Sequence, residues 1–360
     1  MKRIYTFLLA AMATTLCATA QSTGITHEYV DLGLPSGVRW ATCNVGADTP
    51  EAYGNYYAWG ETITKSDYSW VTYDKYGSGS NTLTKYCSDS SYGKDGFTDE
   101  LTTLEAEDDA ATQNWGGNWR MPTIAEWWEL INNCDWVWTD NYNGTGVAGR
   151  IVASRTNGNS IFLPAAGCHY YSETYLVGNY GRYWLSSLDT STPYNALLAS
   201  FDSGTVNKLN DFRIYGLPVR PVIMVYGITV AAATNGAVTA DKEAYAGQEI
   251  TLTVIPDENY ELDVLSVKDA DNNDVIVSAE NKFTMPASAV TVTATFKAKI
   301  ATALETAQAL DLRTENGRVI CAQEFQIFTL TGQNVTEMNG QLNGVYIVKV
   351  GEKAQKVIVK

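Results

Sequence analysis

Residues 118–134, Asn-Trp-Arg-Met-Pro-Thr-Ile-Ala-Glu-Trp-Trp-Glu-Leu-Ile-Asn-Asn-Cys, hold the clearest helix start in the chain. Thr123 can accept from the backbone N–H of Glu126 while the Glu126 carboxylate reaches back to the N–H of Thr123, the reciprocal pair of a capping box. Pro122, just outside, keeps the helix from extending backwards. Ile124, Trp127, Trp128, Ile131 and Cys134 follow at helical spacing and predict one buried stripe, in which two adjacent tryptophans cover a wide arc of core. Strand-like, aromatic-rich segments lie on both sides, so the helix is expected to anchor a mostly β domain.

Upstream, residues 104–115 read as a short helix. Glu105, Glu107, Asp108 and Asp109 fall in its first turns, where acids favour the dipole, and Gly116 and Gly117 end it. Residues 63–103 are Ser, Thr, Tyr, Asp and Gly with weak periodicity and read as a long surface loop, a length that compact domains keep for function. Residues 29–46 read as strand, Pro-Ser-Gly turn and strand. Downstream come Asn-Gly at 143–144 and 157–158, strands at 160–163 and 182–187, Ala196-Leu197-Leu198, and a closing segment at 216–222.

Composition sets the outer limits. All ten tryptophans lie between Trp40 and Trp184, and only four tyrosines follow residue 225, so one aromatic domain is expected over 27–225. The net charge of −15 without any Lys/Arg cluster argues against binding nucleic acid or an anionic membrane through charge. Lys2 and Arg3, an apolar run over 4–16, and Ala18-Thr19-Ala20 read as a secretory signal over 1–20, with a mature start at Gln21. Leu16 is too large for a lipobox before Cys17. No later stretch is long and apolar enough for a membrane helix. Without the signal, Cys43, Cys87, Cys134, Cys168 and Cys321 remain, an odd number with no metal spacing among them. Disulfide pairing is left open.

Several motifs of the first domain carry a resemblance. Residues 29–62, 114–138, 157–167, 183–187 and 216–222 closely resemble the Fibrobacter succinogenes major paralogous domain (FISUMP) family, which is grouped with C-type-lectin-like folds. Residues 119–127 are also similar to the Arg-Leu-Pro-Thr-x-Ala-Glu-Trp helix of formylglycine-generating enzymes, which share that fold. The implied architecture is an α+β C-type-lectin-like first domain followed by two small all-β domains.

Over 227–298, Ile228-Thr-Val, Glu249-Ile-Thr-Leu-Thr-Val and Val290-Thr-Val-Thr-Ala-Thr-Phe alternate with period two, as half-buried strands do. With Gly247-Gln-Glu-Ile and Phe283-Thr-Met-Pro they resemble the bacterial surface repeat related to internalin B-repeats, which implies a spacer or stalk. An Ala-rich linker is expected over 299–312. Residues 313–360, with 325–335 and 344–360 as two hairpin-like pairs, resemble the C-terminal sorting domain of type IX secretion substrates. That resemblance implies export machinery as a partner and a secreted or outer-surface location.

Catalytic groupings are scarce. His27 and His169 are the only histidines, and the Gly-x-Ser-x-Gly, His-Glu-x-x-His and phosphate-loop motifs are missing. Cys168 and His169 are adjacent and, on a strand, would face opposite ways. The cysteine motif of formylglycine-generating enzymes has no counterpart, so the shared helix reports fold only. The lectin calcium triplets Glu-Pro-Asn, Gln-Pro-Asp and Trp-Asn-Asp are absent too. Glu105, Glu107, Asp108 and Asp109 fit helix-end charge better than a calcium site. Asp269-x-Asp271-x-Asn273 imitates an EF-hand start but lacks the turn glycine, with Asp274 in its place, and reads as a hairpin turn. No catalytic residue, metal or cofactor is therefore assigned.

Aromatic residues give the strongest functional signal. Tyr170, Tyr171, Tyr175, Tyr180, Tyr183 and Trp184 are interleaved with Gly, Ser and Asn, a paratope-like mixture of rigid rings and adaptable hydrogen bonders. Trp184 and Tyr183 read as core. Tyr170, Tyr171, Tyr175 and Tyr180, with Asn195 and Arg213, are the candidate ligand residues, and Asp202, Asn207 and Asn210 can add polar contacts. Arg120 and Arg220 are expected to hold the two ends of the domain together, each paired with a helix carboxylate such as Glu126 or Glu129. The reading is a non-enzymatic, exported surface protein that binds a glycan or a protein. A structural surface component is one alternative. An enzyme of formylglycine-generating or carbohydrate-active type is the other.

Overall fold

Thr123 caps its helix as the sequence requires: its Oγ1 accepts from Glu126 N at 3.3 Å, and Glu126 Oε2 accepts from Thr123 N at 2.8 Å. The computed structural model describes residues 27–77, 82–299 and 310–360. The expected signal segment, Cys17 and most of the expected linker lie outside these. The described residues fall into two compact units, one within Met1–Ile255 and Val264–Ala294, the other within Pro256–Asp263 and Thr295–Lys360. Both are built mostly of small sheets.

In the first unit, β1 (Tyr29–Val30) and β2 (Val38–Ala41) are antiparallel. The turn between them is closed by Gly37 N donating to Leu34 O at 2.9 Å. Helices α1 (Ala110–Trp115) and α2 (Ile124–Asn133) follow. The helix expected over 104–115 starts only at α1, because the Asp109 carboxylate accepts from Ala111 N and Thr112 N and so acts as the N-cap. Residues Ala106–Asp108 form a 3₁₀ turn instead. Gly116, at φ +68°, ends α1 as expected.

The stripe on α2 is shifted from the expected one. Trp127 and Leu130 are buried, but Trp128 is 43% exposed. Trp128 stands one residue, about 100° of helix rotation, from Trp127. Of the apolar side chains, Trp127, Leu130 and Cys134 at the start of the next strand are fully buried, with Ile124 and Ile131 half-buried beside them.

Three strands, β3 (Cys134–Thr139), β4 (Gly149–Ser154) and β5 (Ser160–Pro164), form one antiparallel sheet. A short hairpin, β6 (Cys168–Tyr170) with β7 (Glu173–Tyr175), precedes a second sheet of β8 (Gly181–Leu188), β9 (Asn195–Phe201) and β10 (Val206–Phe212) in the order β10-β9-β8. β11 (Val222–Met224) then returns to pair with β2, and Arg120 exchanges both backbone hydrogen bonds with Val222. Trp184 is core, its Nε1 donating to Tyr57 O at 2.8 Å.

The described residues of 63–103 lack strands and α-helix, as expected, but they are not a surface loop. Tyr68, Tyr73, Leu83, Tyr86 and Cys87 are buried. The tyrosines manage this without a ladder because each hydroxyl finds an acceptor: Tyr68 with Tyr56 O at 2.6 Å, Tyr73 with Trp59 O at 2.7 Å, Tyr86 with Asp108 Oδ2 at 2.7 Å. Polar satisfaction by phenol hydroxyls replaces regular secondary structure.

Arg120 pairs with Glu126, as expected. Arg220 does not pair with a carboxylate. It is buried, and it donates to Asn44 Oδ1 at 2.8 Å, Ala41 O at 3.1 Å and Thr42 O at 3.0 Å. Glu129 instead accepts from Ser36. Arg220 therefore ties the closing segment to the first strands through backbone carbonyls.

Val225 alone separates β11 from β12 (Tyr226–Val230). The strands that follow are β13 (Gly236–Thr239), β14 (Glu243–Ala244), β15 (Glu249–Thr251), β16 (Thr253–Pro256), β17 (Tyr260–Asp269), β18 (Asp274–Val275), β19 (Lys282–Thr284) and β20 (Val290–Ala298). β12 runs parallel to β20, and the core here is Ile228, Ile250, Leu252, Phe283 and Val292 with their neighbours. The Asp269 carboxylate accepts from Asp271 N and Asn273 N, so the EF-hand-like stretch is a hairpin turn between β17 and β18.

This region is docked on the aromatic domain. Tyr245 packs with Tyr29 and Trp115 on a small core of Ala41, Trp119, Ile223 and Val225. Tyr29 OH donates to Glu243 at 2.8 Å, Arg39 pairs with Glu243, and Asn118 Nδ2 donates to Ala246 O at 2.8 Å. The second unit carries a hairpin of β21 (Arg313–Glu315) and β22 (Arg318–Ile320), then an antiparallel sheet of β23 (Gln326–Thr329), β24 (Gly344–Val350) and β25 (Lys353–Val359) over Val319, Ile327, Val348 and Val359.

Candidate binding face

The β6–β7 hairpin is held on its outer edge by two separate segments. His169 exchanges backbone hydrogen bonds with Gly216, and Tyr171 with Tyr68. Gly216 is required here, because a Cβ would stand 2.7 Å from the Tyr68 ring. Tyr171 occupies the turn at φ +51°, a conformation that costs a bulky residue energy and holds its ring outward. Residues far apart in the chain, 68–76, 168–171 and 212–216, are thereby brought onto one surface.

On that surface the rings form a continuous series. Tyr171 contacts Tyr170 at a centroid separation of 4.5 Å, Tyr170 contacts Tyr215 at 4.8 Å, and Tyr215 contacts Phe212 at 6.2 Å. Phe212 reaches Trp70 at 6.0 Å, Trp70 reaches Tyr194 at 5.1 Å, and Tyr194 reaches Tyr92 at 5.0 Å. Tyr171 is 52% and Phe212 42% exposed, while the rings between them are half-buried. Connected aromatic rings that reach the surface at two points, drawn from separate segments, make this face a candidate interaction surface.

The candidate ligand residues separate into three groups. Tyr170 and Tyr171 belong to the series. Tyr175 and Tyr180 are exposed but contact no ring of the series among the described residues, while Asn195 lies directly across from Phe212 in the β9–β10 register. Arg213 does not belong. It is 0% exposed, donates to Lys85 O at 3.1 Å and to Tyr86 O, and lies over the Trp59 ring at 5.0 Å. Arg213 stands in the turn just after β10 ends at Phe212, and its side chain runs into the core while Phe212 is exposed. It fastens the 63–103 segment from beneath. Asp202 caps a turn by accepting from Gly204 N and Thr205 N, and Asn210 is held by Asp189.

Trp70, Tyr92, Tyr194, Phe212 and Tyr215 escaped sequence reasoning. They come from three separate segments, around 70–92, at 194 and at 212–215, and nothing local distinguishes them from core rings. The one available signal was the aromatic content of an otherwise polar 63–103 stretch.

Cys168 is buried and His169 half-buried, on opposite faces of β6. Burial raises the Cys168 thiol and lowers the His169 imidazole from their ordinary values. Neither shift favours a thiolate–imidazolium pair. The described cysteines Cys43, Cys87, Cys134, Cys168 and Cys321 are all unpaired. Glu105, Glu107 and Asp108 bring carboxylate oxygens within 4.8 Å of one another. Their centre is filled by the Lys85 ammonium, at 2.6, 2.6 and 2.7 Å from the three. Burial works against that charge but the three carboxylates outweigh it and hold Lys85 protonated. Among the described residues no helix is long and apolar enough to cross a membrane.

Residues 226–300 match a family model described as a divergent InlB B-repeat domain. The match covers the region docked on the aromatic domain. No curated protein and no solved structure matches the chain.

Proposed function

We propose that the chain is an exported bacterial surface protein whose aromatic first domain, a FISUMP domain of C-type-lectin-like kind, binds a glycan or a protein without catalysing a reaction. The observation that carries this reading is the ring series from Tyr171 through Phe212 to Trp70, exposed at two points and braced from below. Rigid rings contribute contact area at low entropic cost, and neighbouring Asn, Ser and Thr side chains add hydrogen bonds. The B-repeat at 226–300 supports a surface location. Residues 313–360 then serve as a sorting domain read by export machinery. Docked as it is on the first domain, the repeat fixes the direction in which the ring face is presented.

Binding of the full chain to broad glycan and protein arrays, with and without calcium, tests the reading. Saturable, calcium-independent binding is the expected result, because Lys85 occupies the acidic cluster. Silence on both arrays would leave the structural-component alternative, and turnover of an arrayed substrate would favour the enzyme.

A further inference from the structure

We infer that the edge strand β10 pairs antiparallel with β10 of a second copy of this chain, about a two-fold axis at Leu209. This does not rest on the binding role proposed above. β10 is the outermost strand of its sheet. The opposite edge strand, β8, is buried along nearly all its length, whereas Asn207, Lys208, Leu209, Asn210 and Phe212 are exposed, on both faces of β10. An open edge of this kind is a template for another strand.

The ladder fixes which backbone groups are open. Asp202 N donates to Thr205 O and Arg213 N to Tyr194 O, both at 3.0 Å, just beyond the two ends of the β9–β10 ladder. Hydrogen-bonded and non-hydrogen-bonded pairs alternate along an antiparallel ladder. Asn207, Leu209 and Asp211 therefore bond to β9, while Val206, Lys208, Asn210 and Phe212 turn N–H and C=O outward. Phe212 is already served, its N–H donating to Asp211 Oδ1 at 2.9 Å and its C=O accepting from Tyr215 N at 3.0 Å. Among the described residues, no other element hydrogen-bonds to the backbone of Val206, Lys208 or Asn210.

The sequence of β10 selects a second copy as the occupant. Both members of a hydrogen-bonded pair must come from the outward set, so few two-fold registers exist. Centring on Lys208 sets two ammonium groups opposite each other, which is unfavourable. Centring on Asn210 sets Leu209 against Asp211, and centring on Asn207 sets it against Thr205. Centring on Leu209 sets Leu209 against Leu209, Val206 against Phe212, and Lys208 against Asn210. The exposed apolar residues of the strand, Leu209 at 45% and Phe212 at 42%, then both face apolar partners. An edge lysine ordinarily guards against strand addition. In this register Lys208 instead meets an Asn210 whose amide is held by the Asp189 carboxylate, so the cation faces an anion and not its own copy. The two sheets become one of six strands. Each copy carries a net charge of −15, so long-range repulsion opposes the pair and salt relieves it. One strand pair falls short of a standard interface of roughly 1,600 Å², so the dimer is weak and depends on concentration.

Sedimentation equilibrium of the full chain from low micromolar to near-millimolar concentration, at low and at high salt, tests this. A monomer–dimer equilibrium that tightens with salt is expected. Leu209→Lys sets like charges on the axis and is expected to weaken association about tenfold or more at unchanged Tm, since the position is exposed. Facing Cα atoms in a non-hydrogen-bonded pair stand about 4.5 Å apart, within disulfide reach. Leu209→Cys is therefore expected to give a covalent dimer on oxidation with diamide, well above both the unmodified chain and Asn207→Cys, which faces Asp211. A monomer at every concentration and salt would leave the edge to an unrelated strand and overturn the inference. So would a dimer that Leu209→Lys leaves intact, or equal cross-linking at positions 207 and 209. Silent ligand arrays leave the inference standing, and a monomeric chain leaves the binding role standing.

Discussion

Arg220 shows how a single buried side chain can serve as a strut. Its guanidinium holds Asn44, Ala41 and Thr42 from the far end of the domain. Removing it strands these acceptors, at a cost of about 1–3 kcal/mol each where no water replaces it. Arg220→Ala is expected to lose about 3 kcal/mol, which lowers Tm by roughly 10 °C in a domain of this size. An unchanged Tm by calorimetry would show that the strut carries nothing. Glu126 makes a prediction with a definite sign. Burial raises its pKa, but the Arg120 guanidinium and the Thr123 N–H outweigh burial and leave it lowered. A carboxylate lowered in the folded state contributes stability that is complete above its unfolded pKa, about 4.3, and is lost as pH falls through the folded value. Glu126→Gln should therefore reduce Tm at neutral pH yet shrink the loss between about pH 5 and pH 3. Parallel acid limbs for both proteins would contradict the assignment.

At the scale of elements, α2 was legible because its start is encoded locally: Thr123 and Glu126 need only each other. Its buried face was legible to within one residue. Trp128 looks like core by composition and spacing, and only the placement of β3 and β9 decides that Trp127 takes the interior. Trp127→Ala should cost about 3–5 kcal/mol, whereas Trp128→Ala should stay within about 0.5 kcal/mol. Urea denaturation separates them, and equal losses would restore the wider stripe. The 63–103 segment was not legible, since its order depends on hydroxyls finding carbonyls such as Tyr56 O and Trp59 O. Those partners leave no periodic trace. Arg213 was misplaced for a similar reason. A charged residue in a polar stretch reads as surface, and only the Trp59 ring and the carbonyls of Lys85 and Tyr86 make its burial affordable.

Across the whole molecule, the sequence marks the change near residue 226 plainly and hides what happens there. Composition shifts sharply, which reads as a boundary with a spacer beyond it. The structure instead passes from β11 to β12 through Val225 and covers the joint with Tyr245, Tyr29 and Trp115. Both regions within this unit are expected to melt in one transition. Glu243→Ala, which removes the partner of Tyr29 and Arg39, should split or broaden that transition in scanning calorimetry. Two separate transitions in the unmodified chain would mean that the contacts are too weak to couple them. The ring face was half legible on the same terms: Tyr170 and Tyr171 stand in a recognisable run, while Phe212, Tyr215 and Trp70 arrive from other segments.

The central claim is that this face meets the ligand. The most direct test sets the full chain beside Tyr171→Ala/Phe212→Ala on the same arrays, with Tm measured for both. Loss of every bound ligand at unchanged Tm is the predicted result. Undiminished binding by the double variant would place the ligand elsewhere on the protein and contradict the account.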